Sequence, residues 1–296
     1  MVDVSIILVN YNTRGLLKQC ILSILNMTKG INIEIIVSDN DSTDGSAEMI
    51  KIEFPTVILI ENKANLGFGR ANNIGISFAK GKYLLLLNTD TYFLNDAISI
   101  FFDYMENPAH QDVACCGGDL FKPDGARQAS YGNFPSIFDA ISQLGFYRLY
   151  PVYYKRYIAA GALNYDNSIK KVDFICGADM FLRRSMMDRV GYFDEDFFLY
   201  FEETEMSYRI KKSGLMSMLI PEAKIVHLEG GSQDGAYLNL RRIKQFSKSR
   251  RLYFKKSHSN FSSSIVTCIF SFQALLFYLF KRNPDYLKVA KTILNS

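Results

Sequence analysis

The feature that most constrains this 296-residue chain is a rhythm in its N-terminal third, where short apolar runs each stop at a knot of asparagine and aspartate. Val4-Ser5-Ile6-Ile7-Leu8-Val9 gives way to Asn10-Tyr11-Asn12, and Ile33-Glu34-Ile35-Ile36-Val37-Ser38 to Asp39-Asn40-Asp41. Val57-Ile58-Leu59-Ile60 leads to the stretch Asn62 to Asn65, and Tyr83-Leu84-Leu85-Leu86-Leu87 to Asn88-Thr89-Asp90. Short apolar runs rich in β-branched side chains suit strands buried in a parallel sheet. Between them, Leu16, Leu17, Cys20, Ile21, Ile24 and Leu25 recur at helical spacing, and residues 67–79 read as a second helix. The alternation predicts an α/β fold with a mostly parallel sheet flanked by helices. Ligands of such sheets bind beyond the carboxyl ends of the strands. Turn chemistry explains any one of these knots, but all of them together predict a polar binding cleft.

Downstream the signals weaken between about 120 and 172, where Tyr147, Tyr150, Tyr153, Tyr154 and Tyr157 crowd together with Lys155 and Arg156. This stretch reads equally as an acceptor-binding excursion or as an irregular flap around an aromatic mini-core. Order returns at Asp173 to Leu182, followed by a helix through Met206, Arg209 and Ile210 that Gly214 should end. A strand at Met216 to Ile220 is then expected, ahead of Pro221-Glu222-Ala223 and Lys224-Ile225-Val226-His227.

Charge divides the chain unevenly. Residues 241–296 carry 12 Lys/Arg and one acid, a net of +11, whereas the remainder holds 22 Lys/Arg and 29 Asp/Glu, a net of −7. An acidic body with a basic tail predicts different partners for the two parts. Within the tail, the cations of Arg241 to Lys256 are interleaved with Leu240, Ile243, Phe246, Leu252, Tyr253 and Phe254, and an apolar run follows from Ile265 to Phe280. That run falls short of the roughly 20 apolar residues of a spanning helix. The expectation is an interfacial helix on a membrane surface, residues 241–282, with packing on the catalytic body or another subunit as the alternative. Nucleic acid is not expected as a partner. The five cysteines form no Cys-x-x-Cys pair and the first residues lack a basic leader, so a cytoplasmic setting is expected.

Several motifs in a fixed order carry a family resemblance. They are Ser5-Ile6-Ile7-Leu8-Val9-Asn10-Tyr11-Asn12, Asp39-Asn40-Asp41-Ser42-Thr43-Asp44-Gly45-Ser46 and Asn65-Leu66-Gly67-Phe68-Gly69-Arg70-Ala71-Asn72-Asn73. Leu87-Asn88-Thr89-Asp90, Gly177-Ala178, Gly191-Tyr192-Phe193-Asp194-Glu195, Tyr200-Phe201-Glu202-Glu203 and Pro221-Glu222-Ala223 with His227 complete the set. The chain resembles glycosyltransferase family 2, inverting enzymes of the Rossmann-like GT-A fold, and especially its bacterial rhamnosyltransferase-like branch. The resemblance implies transfer of a hexose or deoxyhexose, rhamnose among the candidates, from a dTDP- or UDP-sugar to a cell-surface polysaccharide precursor such as O-antigen or capsule. The saccharide acceptor is expected to be lipid-linked, and self-association stays open. It also implies a GT-A catalytic domain over 1–240, with a nucleotide-binding half at 1–120 and an acceptor-binding half at 121–240. A helical, basic and apolar extension would occupy 241–296.

Residue roles follow from the same resemblance. A divalent cation, Mg2+ or Mn2+, would neutralise the leaving diphosphate, with Asp90, Asn88 and His227 as ligands. Asn88 stands where the family has an acid, which should lower metal affinity. The alternatives are that Asp90 caps a helix beginning near Asn95 and that His227 is simply hydrogen-bonded in a core. Asp39 would read the nucleoside, Asn10 and Asn12 line the base pocket, Arg70 reach the diphosphate, and Asn65, Gly67 and Asn72 shape the donor cleft. Gly177, Ala178 and Asp179 would meet donor sugar or acceptor. Inversion needs a base for the acceptor hydroxyl; Glu203 aligns with the family's catalytic Asp, with Glu202 and Glu205 as substitutes. A nucleotidyltransferase of sugar phosphates and a catalytically weakened sugar-binding scaffold are the competing readings.

Overall fold

A computed structural model describes residues 2–159, 161–228 and 238–296. The first half builds β1 (Val4–Asn10), α1 (Arg14–Met27), β2 (Ile33–Asp39), α2 (Ser46–Glu53), β3 (Ile58–Glu61), α3 (Phe68–Phe78), β4 (Tyr83–Asn88), β5 (Thr91–Phe93), α4 (Ala97–Glu106) and β6 (Val113–Phe121). An irregular excursion follows, with β7 (Tyr131–Gly132), α5 (Ile137–Ser142), a 3-10 turn at Phe146–Leu149 and α6 (Pro151–Tyr157). The chain then forms β8 (Lys170–Val172), β9 (Phe174–Ile175), β10 (Asp179–Arg183), α7 (Arg184–Val190), α8 (Glu202–Lys212) and β11 (Met216–His227). Three helices end it: α9 (Leu240–Ser257), α10 (Asn260–Lys281) and α11 (Asp285–Leu294).

The main sheet runs β3-β2-β1-β4-β10-β6-β11-β5, with β8 on β11. β1 to β4 are mutually parallel, as the buried apolar runs require, and β6 is parallel to β11. β10 is antiparallel to both β4 and β6, so the sheet is mixed at its centre. Period-2 alternation splits its side chains between two cores. Leu8, Leu85, Leu87, Phe181 and Ile225 face the side packed with α1 and α4 residues; Ile7, Leu84, Leu86, Met180 and Leu182 face Met206 and Ile210 of α8. Leu86 is fully buried, so truncating it to Ala should cost about 2–5 kcal/mol.

Two expectations change. The strand expected at Met216–Ile220 runs on to His227, with the register against β6 slipping between Ile220 and Lys224. Proline cannot donate to a ladder, so Pro221 falls where the pairing is interrupted. The apolar run of the tail also lies inside a helix of 22 residues, long and apolar enough by length and composition to cross a membrane. That helix nevertheless buries Val266, Ser271 and Ala274, and the Ser271 hydroxyl donates to the Ala290 carbonyl of α11.

The tail is not an appendage to the sheet. Phe246 and Tyr253 of α9 pack on Phe201, the residue before α8, with ring centroids 5.2 and 5.5 Å apart. Ser249 Oγ donates to the Leu199 carbonyl at 2.7 Å, and Lys256 pairs with Asp194 and Asp196. α9 therefore braces the loop leading into α8.

Candidate active site

Register builds the first half of the site. In the parallel β1–β2 pair Asn10 lies opposite Asp39. Asn10 Nδ2 donates to Asp39 Oδ1 at 2.6 Å and to Ser42 Oγ at 3.0 Å, while Asp39 Oδ2 accepts from the Ser42 amide at 2.9 Å. Both residues are buried. Asn12 adopts a left-handed φ of 54° and accepts from the Thr43 amide, joining the first loop to the second. Thr13 Oγ1 donates to Asn10 Oδ1 at 2.7 Å and lies 3.0 Å from Thr89 Oγ1. The knots after β1, β2 and β4 are thus one hydrogen-bonded system.

The third loop joins it through Asn40. Its amide donates to the Gly67 carbonyl at 3.1 Å and to Asn65 Oδ1 at 3.4 Å, and its carbonyl accepts from Asn62. Asn65 Oδ1 also accepts from the Gly67 amide. Gly67 has φ +84°, and a Cβ there would lie 2.3 Å from the Phe198 carbonyl oxygen. Only glycine lets Phe68 N donate to that carbonyl, at 2.9 Å, and so dock the 191–201 loop on α3. Asn72 is buried, with its amide turned back onto the Phe68 carbonyl, and Arg70 pairs at 3.1 Å with Glu195. Neither is hydrogen-bonded to the Asn10–Asp39 pair.

The second half of the site arises from the pairing of β5 with β11, which sets Thr91 opposite His227. Asp90, one residue earlier, thereby comes to 3.3 Å from His227, Oδ1 to Nε2, and its carbonyl accepts from the Leu228 amide. Helix α4 is capped by Asp96, whose side chain accepts from Ser99 N, so Asp90 has no capping duty. Among the described residues no three or more His, Cys, Asp and Glu side chains are arranged to hold a metal ion by themselves. One carboxylate and one imidazole fit a divalent cation that takes its remaining ligands from phosphate and water. Asn88, by strand alternation with Leu84 and Leu86, belongs to the face on which α8 lies, and its backbone N–H donates to the Ala178 carbonyl at 3.0 Å.

Glu202, Glu203 and Glu205 occupy the first turn of α8, where acids favour the helix dipole. Their environments differ. Glu202 is buried, its Cγ 3.4 Å from where a Cβ on Gly69 would lie, and its Oε1 has no hydrogen-bond partner. Burial, then the Glu203 charge, pushes its carboxyl up to about 8. Glu203 is partly exposed, accepts from Thr204 Oγ1 and has its side chain against Gly177, 3.6–3.9 Å from a Cβ built there. Burial also raises its carboxyl. Glu205 is committed elsewhere: Arg209 Nε reaches both its oxygens at 2.9 and 3.0 Å, and the same guanidinium binds the carbonyls of Val190, Gly191 and Tyr192.

Asp179 departs from its expected place. It begins β10 and is fully buried, with Oδ2 accepting from the Gly118 amide at 2.6 Å and Oδ1 unpartnered. Burial holds its carboxyl well above the ordinary range. In this structure it lies inside the sheet, hydrogen-bonded to β6, and not on the open cleft. Three positioning features were not anticipated: Thr13 and Thr89, the Asn73 side chain bonded to Phe193, and consecutive left-handed residues, Tyr200 and Phe201, at φ 72° and 70°. Such backbone is costly for non-glycine residues, about 1–3 kcal/mol each, and aims the start of α8 at Gly177. A cavity of about 1070 Å³ lies apart from this cleft, beside α6, β8 and the end of α8.

A mixed sheet with its acid–imidazole pair and helix-borne carboxylates beyond the strand ends defines the GT-A class of glycosyltransferases. The model of Glycosyl transferase family 2 matches residues 5–191, and the chain belongs to that family. A second model, Glycosyl transferase family group 2, matches residues 153–290. The chain is 25% identical over 220 residues to N-acetylglucosaminyl-diphospho-decaprenol L-rhamnosyltransferase of Mycobacterium tuberculosis, covering 70% of each. It is 36% identical over 104 residues to the UDP-Glc:alpha-D-GlcNAc-diphosphoundecaprenol beta-1,3-glucosyltransferase WfaP of Escherichia coli, 35% of this chain and 41% of the relative. Among solved structures, GalNAc-T7 with UDP, GalNAc and Mn2+ superposes with a TM-score of 0.60 at 16% identity; the match covers 87% of this chain and half of that one.

Proposed function

We propose that this chain transfers a hexose or deoxyhexose, with inversion, from a dTDP- or UDP-sugar to a lipid-linked saccharide that becomes cell-surface polysaccharide. The observation that carries the reading is the hydrogen-bonded continuity from Asp39 through Asn10, Thr13 and Thr89 to the turn bearing Asp90, which lies 3.3 Å from His227. In this reading Asp39 and Asn10 hold the nucleoside, and the Asn65–Gly67 loop closes on the donor. Asp90 and His227 would hold a divalent cation with Asn88 beside it; when bound, the ion supplies positive charge opposite the departing diphosphate.

Glu203 serves as the base. The residue is half-buried and stands against Gly177, and burial raises its carboxyl's affinity for a proton, as a general base requires. The acceptor hydroxyl gives its proton to Glu203 as its oxygen bonds to the anomeric carbon, and the nucleoside diphosphate leaves from the opposite face. Glu202, whose burial favours its protonated form, shapes the wall behind it. Glu205 keeps α8 in position through Arg209. Gly177 and Ala178 leave room for the sugar, and Arg70 exchanges Glu195 for the diphosphate when donor binds.

The acceptor class draws support from the M. tuberculosis and E. coli relatives, named for transfer to N-acetylglucosaminyl-diphospho-decaprenol and to GlcNAc-diphosphoundecaprenol. The exposed cations of α9 and the exposed Leu279 and Phe280 of α10 support a peripheral seat on the cytoplasmic membrane face. A panel of nucleotide sugars with polyprenyl-diphosphate N-acetylglucosamine tests the reading, following nucleoside-diphosphate release and the anomeric configuration of the product. Release of pyrophosphate from a nucleoside triphosphate, or full activity after exhaustive chelation, overturns it.

A further inference from the structure

The excursion between β7 and β8 presents a second apolar surface. Phe146, Leu149, Val152 and Tyr153 are 52, 80, 80 and 56% exposed, although each could have been buried in a chain with ample core. Adjacent exposed apolar side chains on a soluble fold mark contact with something outside it. The rest of the excursion is well made: Phe138 stacks on Tyr150, Tyr147 packs on Tyr154, and the buried Asp139 accepts from Gln143 and Tyr154. The apolar tips are therefore a feature of an ordered element.

Charge selects the occupant. Residues 140–165 contain Arg148, Lys155 and Arg156 and no acid; residues 260–284 contain Lys281 and Arg282 and no acid. The two stretches adjoin, since α5 packs on α10 and Gln273 donates to the Gln143 carbonyl. A second copy seated here would set cations against cations. An acidic lipid surface complements them and also takes up the apolar tips.

We propose that residues 146–157 dock on an acidic bilayer surface and form, with α10, a two-part membrane interface. The proposal rests on the reading that α10 itself lies on the membrane, and the test separates the two. Full-length protein is sedimented with vesicles of phosphatidylglycerol and phosphatidylcholine, and with phosphatidylcholine alone. Leu149→Ser/Val152→Ser should weaken partition onto the acidic vesicles at least about tenfold, as should Leu279→Ser/Phe280→Ser, with thermal unfolding unchanged in both. Arg148→Gln/Arg156→Gln should lose part of the salt-sensitive binding. If the Leu149/Val152 variant partitions as wild type while the Leu279/Phe280 variant does not, the inference fails and the α10 reading stands. If neither variant changes partition, both fail. A lipid-free dimer that Leu149→Ser/Val152→Ser converts to monomer, with vesicle binding unaltered, assigns the surface to a second copy and overturns the proposal.

Discussion

Oδ1 of Asp90 lies 3.3 Å from Nε2 of His227 because the antiparallel pairing of β5 with β11 sets Thr91 opposite His227. A carboxylate and an imidazole far apart in sequence are held together by backbone, before any ion is considered.

Asp90→Asn should therefore lower kcat/KM by about 10²–10³-fold, the usual loss when a preorganised charge at a leaving group is removed. Chelation should do the same, with Mn2+ or Mg2+ restoring activity. Calorimetry of nucleoside-diphosphate binding with and without metal should show the metal-dependent gain missing in Asp90→Asn. A gain equal to wild type removes Asp90 from the site.

The acids of α8 should separate by experiment. Glu203→Gln should reduce kcat about 10²–10⁴-fold with donor affinity unchanged. Glu205→Gln should instead destabilise the fold, by about 1–3 kcal/mol in urea denaturation, because Arg209 loses its charged partner. If Glu205→Gln abolishes turnover at full stability, the two roles have been exchanged.

Glu202 gives a pH dependence. The folded protein holds a proton on this buried carboxyl up to about pH 8, whereas the unfolded chain releases it in the ordinary carboxylate range. Stability from this group is thus full at low pH and declines as pH rises toward 8, by at most about 1.4 kcal/mol per unit. Urea midpoints between pH 5 and 8 should fall less steeply in Glu202→Gln than in wild type. Parallel slopes would mean that Glu202 is already ionised in the native state.

Gly67→Ala places a methyl group against the Phe198 carbonyl at a φ that alanine resists. A loss of about 1–3 kcal/mol is expected, together with a raised KM for donor, since the Asn65–Gly67 loop and the 191–201 loop separate. Wild-type melting and KM in this variant would show that the contact is dispensable.

Much of this architecture is legible in the sequence, for physical reasons. β1 to β4 declare themselves because a strand buried on both faces has few alternatives to an apolar run, and Asn or Asp at its end has few uses but turns and ligands. The direction of β10 is not written in Asp179-Met180-Phe181-Leu182-Arg183, which is apolar enough to run either way. Nor does its pattern reveal that Asp179 lies inside the sheet, since an isolated acid after Gly-Ala looks like a loop residue. The three glutamates of α8 are visible as a group, but their division of labour depends on Arg209, Gly69 and Gly177 arriving from other elements. The continuation of the strand from 216 to 227 was masked by Pro221, which signals a break and here marks only a slip in register.

The hold of α9 on the Leu199 carbonyl and on Phe201 bears on how such enzymes can be recombined. Exchanging the C-terminal helices between relatives, as one would swap a targeting tag, also replaces the wedge that fixes the entrance to α8. A chimera joined near residue 240 inherits a foreign brace beneath its own α8. Because α10 and α11 pack on α9 in turn, with Ser263 Oγ donating to the Arg251 carbonyl, the three helices are best kept with the body they came from.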